Sequence, residues 1–260
     1  MDISTVNQNF YKLCSRYDLS DPNILRRFVH GLETAQNCFS LASSEQLPRS
    51  DREFLYAVGL LHDSGRLEQW RRFANFSDSK TIPHEQLGVK LLKDENIVDD
   101  FFETKEKQKL ALKLIEHHTH PYQGKDEKFK QFLEILRDAD CYANLDYTAS
   151  GLQRLWTTQN GVSSQVLAKF RLRQSLHGTP IRTKLDRVLQ LLSRTYSIKH
   201  NILRRDLLAR KYINSIYEVY NGILNNEDSQ LLFKECWILK QELANAVNLH
   251  DQEKKIKMGK

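Results

Sequence analysis

Five prolines and ten glycines in 260 residues leave this chain few places to break. Proline removes a backbone donor and glycine is entropically costly in a helix interior, so their scarcity favours long helices over many short strands. The apolar pattern agrees. Leu25, Phe28, Leu32, Ala35 and Phe39 keep the 3–4 spacing of one helix face. Asp21-Pro22 just before them pairs an N-cap carboxylate with proline at the first helical position.

The same reading runs along the chain. Residues 5–18 form a short leading helix carrying Phe10, Leu13 and Cys14. Ser50-Asp51-Arg52-Glu53 has capping-box character and is expected to open a helix from Phe54 to Leu61, apolar nearly all round and therefore buried. Residues 68–83 hold no sustained period and are expected to be a loop. A helix then begins near Pro83, another covers Lys105 to His118 and stops at Pro121 and Gly124, and a third covers Lys128 to Leu145. Beyond residue 150, four amphipathic stretches (164–176, 183–197, 201–221 and 227–248) hold few residues of catalytic type. The expected fold is all-α, a helical bundle over residues 1–150 with a helical extension over 151–260 packed on it as a cap.

Composition narrows the setting. The four cysteines, at 14, 38, 141 and 236, lack the short spacing of a zinc site or redox dithiol and read as free thiols in a reducing compartment. The first residues show no basic segment followed by an apolar one, and no apolar run approaches a membrane span, so a cytoplasmic address is expected. The net charge of +6 sits partly in the run Glu253–Lys260, which reads as a solvated tail. With no recognition-helix or stacking motif, no specific nucleic-acid partner is expected. The apolar faces of the last helices leave room for a homodimer.

Histidine is an uncommon residue, yet six of the nine here lie between residues 30 and 120. Buried imidazoles must find partners, so the clustering needs a reason. His62-Asp63 follows the apolar run Phe54–Leu61 and precedes Ser64-Gly65. The two side chains point about 100° apart on a helix but can still reach one ion beside it. Such mixed nitrogen and oxygen donors suit Mn, Fe, Co or Zn better than Ca. Gly65 is expected to free the backbone to turn away after the pair. Taken in isolation, a His-Asp pair reads as a helix-end feature in which the His only meets the dipole.

The wider set decides between these readings. His30, then "LLHDSGR", "PHEQLG", "IEHHTHP" and "ILRDAD" occur in order along successive helices. This arrangement closely resembles the HD-domain superfamily of metal-dependent phosphohydrolases over roughly residues 20–150. The longer stretch "HDSGRLEQWRRFANFSDSK…PHEQLG" also resembles a group of stand-alone HD hydrolases with a helical C-terminal region and no assigned substrate. The tripeptide GYP of the cyclic-dinucleotide branch is absent after His117-His118, and the Glu-Asp pair of the guanosine tetraphosphate hydrolases is absent after His62-Asp63, where Ser64-Gly65-Arg66-Leu67 follow.

The resemblance implies a first ion held by His30, His62, Asp63 and Asp140, with Asp138 a rival for the last place. It implies a second ion for which His84 and His117 match, with Asp63 bridging. The cofactor is then one or two divalent transition ions (Mn, Fe, Co, Ni or Zn). His118 is a further ligand, a phosphate contact or the acid that protonates the leaving oxygen, and His120 a surface or gate residue. Arg66 is expected to fork onto a phosphate oxygen or else to cap the helix end. Lys80, with Arg71 and Arg72, can close over the phosphate from the 68–83 segment. The expected activity is hydrolysis of a nucleotide or another small phosphoester by a metal-activated water. The alternatives are a di-iron oxygenase on the same ligands and a non-catalytic helical binding module.

Overall fold

The computed structural model describes residues 2–145, 193–195 and 197–209. Every regular element among the described residues is helical. The chain divides into two units, Met1–Asn144 and Leu145–Lys260. In the first lie α1 (Ile3–Cys14), α2 (Pro22–Ser44), α3 (Arg49–Leu61), α4 (Ser64–Phe73), α5 (His84–Asp94), a 3-10 turn (Ile97–Asp100), α6 (Lys105–His117) and α7 (Glu127–Leu145). In the second, α8 (Asn201–Ala209) falls within the expected helix over 201–221. The expected helices over 164–176 and 227–248 lie outside the described residues.

Helix starts follow local chemistry in three places and depart from it in one. Asp2 accepts from the backbone of Ser4 and Thr5, Asp21 from Asn23, and Thr104 from Lys107, so α1, α2 and α6 each begin on a side-chain cap. The expected capping box at Ser50 does not form. Instead α3 begins at Arg49 after Pro48, and Glu53 accepts from Arg49 Nε at 2.8 Å. Pro48 holds the N-cap position at φ −53° and ψ 148°, and the helix begins there without a side-chain cap. The expected loop over 68–83 is also corrected. Its first residues, Glu68 to Phe73, belong to α4, which ends only where Ala74 turns left-handed at φ 44°. Glu68 is buried under Arg71 and Arg72, and it also accepts from Tyr17. An apolar period is missing there because the buried face is polar.

The core sits where α3 crosses its neighbours. Phe54 packs against Phe102 and Phe132 in tilted pairs at centroid distances of 5.3 and 5.8 Å, with Leu114, Ile115 and Leu136 buried in the same interior. The α2–α3 crossing is close because its residues are small: a Cβ on Gly59 would lie 2.7 Å from Ala35 Cα, and one on Gly31 3.1 Å from the Leu60 carbonyl oxygen. His30 and His62 flank this crossing, and the close approach of the two backbones brings their rings to 5.2 Å.

Gly65 has a different role from the one its sequence suggests. It lies in the first turn of α4, and a Cβ there would sit 1.8 Å from the His84 carbonyl oxygen and 2.5 Å from Gly88 N. It is the point where α4 touches the start of α5. Gly65→Ala is therefore expected to destabilise the protein by at least about 2–3 kcal/mol, the cost of forcing an atom into a packed interior. Urea unfolding of the two proteins measures the difference.

Candidate metal centre

Asp63 occupies the break between α3 and α4, at the N-cap position of α4, with φ −103° and ψ 15°. An aspartate there normally accepts from the first helical N–H groups. Asp63 makes no such bond. Its carboxylate turns inward. One oxygen, Oδ2, faces Arg27 Nη1 at 3.1 Å and His30 Nε2 at 3.8 Å. The other, Oδ1, faces His84 Nε2 at 3.2 Å, Arg66 Nε at 3.8 Å, and His62 and His118 Nε2 at 3.9 Å each. Asp140, from α7, places Oδ1 3.0 Å from His30 Nε2 and 3.4 Å from His62 Nε2.

Two overlapping groups result. His30, His62 and Asp140 form one, and His62, Asp63 and His118 the other, each compact enough for a single ion. His84 joins the second side through its contacts with Asp63 and His118. Asp63 stands between the groups with an oxygen toward each.

The imidazoles are held so that Nε2 points inward. His62 Nδ1 donates to the Gly59 carbonyl at 2.8 Å, and His118 Nδ1 to the Ile115 carbonyl at 2.6 Å. A carbonyl only accepts, so these nitrogens carry the hydrogens and Nε2 carries the lone pair of the neutral ring. His84 Nδ1 faces Asp78 at 3.0 Å, with Nε2 turned toward Asp63 Oδ1 at 3.2 Å. Two inward nitrogens, on His84 and His118, then lie 3.2 Å apart, and His62 Nε2 is buried without a hydrogen-bond partner. Lone pairs that converge on one another and on a carboxylate need a cation. The donor set fits a divalent ion, and the outer contacts on Nδ1 are those that orient metal-binding histidines.

The charges tell the same story. Burial alone would raise the Asp63 carboxyl, but His62, His84 and Arg27 hold it well below the usual carboxylate range. Asp140 is likewise held far down against its burial by His30 and His62. Burial opposes a charge on His62, yet Asp63 and Asp140 push it up to about 9. His118 goes the other way, down to about 4, through burial and the neighbouring His62.

The two residues of the doublet at the end of α6 separate. His118 lies in the cluster, while the His117 ring packs against Tyr122 and Phe129 at 6.0 and 6.1 Å. Metal-ligating groups among the described residues do not include His117. Successive helical side chains diverge by about 100°, and here the Tyr122 and Phe129 rings take His117 to the other side. Arg137, one turn before Asp140, donates to the carbonyls of both histidines and fixes which one faces inward. As a leaving-group acid His118 is poorly placed, because Nδ1–H is spent on Ile115 and the ring is held neutral.

Arg66 also departs from expectation. Its Nη1 and Nη2 fork onto Asp78 at 3.0 Å each, and Nη1 also donates to Gln69 and the Phe76 carbonyl. Lys80 is exposed on the segment between α4 and α5. His120, 61% exposed, pairs with Glu85 at 2.9 Å. Sequence reasoning missed Arg27, which lies one turn before His30 on the same face of α2 and packs on the Phe76 ring at 4.6 Å. It missed Asn144, one turn after Asp140, which donates to that carboxylate at 2.8 Å. The i+3 and i+4 offsets from the ligands were the available signal.

Comparison with known proteins bears on this same stretch. Residues 27–145 match the family described as HD domain. Over 87 residues the chain is 36% identical to a Multifunctional CCA protein of Pseudomonas fluorescens (strain Pf0-1). That alignment covers 32% of this chain and 19% of the relative. No solved structure matches.

Two outcomes are expected. His118→Ala should weaken metal binding by at least about 100-fold, beyond what loss of an outer contact costs, whereas His117→Ala should leave it unchanged. Bound metal after dialysis, by elemental analysis, separates them. Below about pH 9 the metal-free protein holds a proton on His62 that a metal ligand cannot keep, so binding near pH 7 should release about one proton. Calorimetry in buffers of different ionisation enthalpy reads that number.

Proposed function

We propose that the chain, whose residues 27–145 match the HD domain family, is a metal-dependent phosphohydrolase cleaving a nucleotide or another small phosphoester with water. The observation that carries this reading is the convergence of buried imidazole Nε2 atoms on two carboxylates, three of the rings anchored at Nδ1. His30, His62, Asp63 and Asp140 would hold one divalent ion, and Asp63, His84 and His118 a second. Such an ion supplies Lewis acidity, polarising a phosphoryl oxygen and lowering the pKa of a water toward neutrality.

The chain's own groups do the rest. Asp63 and Asp140 supply the negative charge that selects a cation. Arg27 is the inferred phosphate contact: its Nη1 rests on Asp63, its face on Phe76, and its Nε is buried without a hydrogen-bond partner. Lys80 is the inferred contact at the rim. No helix among the described residues is long and apolar enough to cross a membrane, and the inferred partner is a small phosphorylated molecule. A di-iron oxygenase is the second reading, favoured by one observation: Asp63 presents separate oxygens to two groups of ligands.

The test is metal content of the purified chain with phosphate release across nucleotides and phosphoesters, each tried with Mn, Fe, Co, Ni and Zn. Bound metal with release from any substrate supports hydrolysis, and Asp63→Ala should bring that release to background while keeping the helical circular dichroism. Two irons with oxygen uptake and no release moves the assignment to oxygen chemistry. A chain that takes up no transition metal overturns both readings.

A further inference from the structure

One carboxylate outside the cluster is as heavily engaged as those within it. Asp78, on the segment between α4 and α5, accepts from Arg66 Nη1 and Nη2, from Gln69 Nε2 at 3.0 Å, and from the backbone N–H of His84 at 3.1 Å. It also accepts from His84 Nδ1, at 3.0 Å through Oδ1 and 3.1 Å through Oδ2. Gln69 ties down the same segment a second time, donating to Thr81 Oγ1 at 2.6 Å and to the Ile82 carbonyl at 3.2 Å. Three features converge here. Asp78 receives a guanidinium fork, it supplies the N-terminal cap that Pro83 cannot give α5, and it meets the outer nitrogen of the imidazole whose inner nitrogen faces Asp63.

We propose that Asp78 is a positioning residue for His84, and that Arg66 acts through Asp78 instead of binding the substrate phosphate. The inference deepens the metal-dependent reading and rests on it for the role of His84. Asp78 fixes the Nδ1–H tautomer, so the Nε2 lone pair faces Asp63 and His118. Arg66 holds the carboxylate in plane, and Gln69 holds the segment that carries it. A guanidinium with both terminal nitrogens on Asp78 cannot also fork onto a phosphate. Glu85 is the competing partner, with Oε2 3.1 Å from the same His84 nitrogen, but its Oε1 is taken by His120.

Two readouts test this in the whole chain. The first needs no metal: long-range nitrogen–proton NMR of the labelled metal-free chain reports which nitrogen of His84 carries the hydrogen. The wild type should show Nδ1–H, and Asp78→Ala should lose that single form, with Glu85→Gln keeping it. The second is Co(II) titration. Asp78→Asn should weaken one class of Co(II) site by about 10–100-fold while the other is unchanged, the effect usual for an outer partner of a metal-binding histidine. Arg66→Met should produce the same loss, and the double variant should be no worse than either single one.

Additive losses, or a loss confined to Glu85→Gln, would overturn the proposal. So would a His84 tautomer that Asp78→Ala leaves intact. The two readings fail separately. A wild type that takes up none of Mn, Fe, Co, Ni and Zn sinks the phosphohydrolase, whereas a wild type that binds Co(II) and an Asp78→Asn protein that binds it equally sink only the role of Asp78. Asp78→Asn keeps one acceptor oxygen, so its fold is expected to survive even where Asp78→Ala loosens α5.

Discussion

A buried carboxylate, Asp63, and a half-buried one, Asp140, set among imidazoles are the constraint around which this domain is arranged. Asp63 and Asp140 are anionic in an interior where an uncompensated charge would be prohibitive. Arg27 supplies one compensating charge at 3.1 Å, and Arg66 approaches from the other side. Without an ion, His62 supplies a further charge by holding a proton up to about pH 9. A proton on His62 and a divalent ion are thus alternative answers to the same electrostatic demand. The metal-free chain can fold with its charges met, and the site is then held ready at the geometry an ion requires. The neutral His118, pushed down to about 4, is the donor whose lone pair stays available in both conditions.

Meeting that demand shapes the helices nearby. Asp63 gives up the capping bond that its position would normally form, a contribution of about 1 kcal/mol to a helix start. The α2–α3 crossing uses Gly31, Ala35 and Gly59 to bring His30 and His62 within 5.2 Å. At α4 and α5, Gly65 and Gly88 do the equivalent for Asp63 and His84, allowing the backbones to meet where any Cβ on Gly65 would collide. Small residues at the crossings and charged ones beside them form one design. The close approaches set the distances, and the charges use them.

Much of this was legible in the sequence, and the failures share a cause. The α2 start at Asp21-Pro22, the buried α3 and the helices after Pro83, Thr104 and Asp126 follow from periodicity and end signals. The His-Asp doublet stood out at the polar end of an apolar helix, whereas Asp140, with Asp138 as its rival, came from the resemblance to the HD-domain superfamily. What could not be read was direction. His117-His118 is symmetric as text, and only the Tyr122–Phe129 pocket and the Arg137 bonds decide which ring faces inward. Arg66 is one turn from Asp63, which suggested a role at the phosphate, but its partner Asp78 is twelve residues away on a segment without periodicity. Glu68 misled the helix reading for a related reason: a buried carboxylate paired with two arginines has no apolar signature.

The two halves of the centre also differ in how they are supported. His30 and Asp140 stand within α2 and α7, and His62 ends α3, three elements that meet in the apolar interior. Their positions are secured by side chains that cannot move without opening the core. His84 begins α5 and His118 follows the last residue of α6, so this half is built on helix ends. Helix ends are held by few hydrogen bonds and open at lower cost than helix centres. That is why Arg137 caps α6 and why Asp78 gathers Arg66, Gln69 and His84 onto one carboxylate. The polar contacts do for the second half what hydrophobic packing does for the first. An ion at His30, His62 and Asp140 meets donors fixed by the core, whereas one beside His84 and His118 depends on a network that a single substitution can slacken.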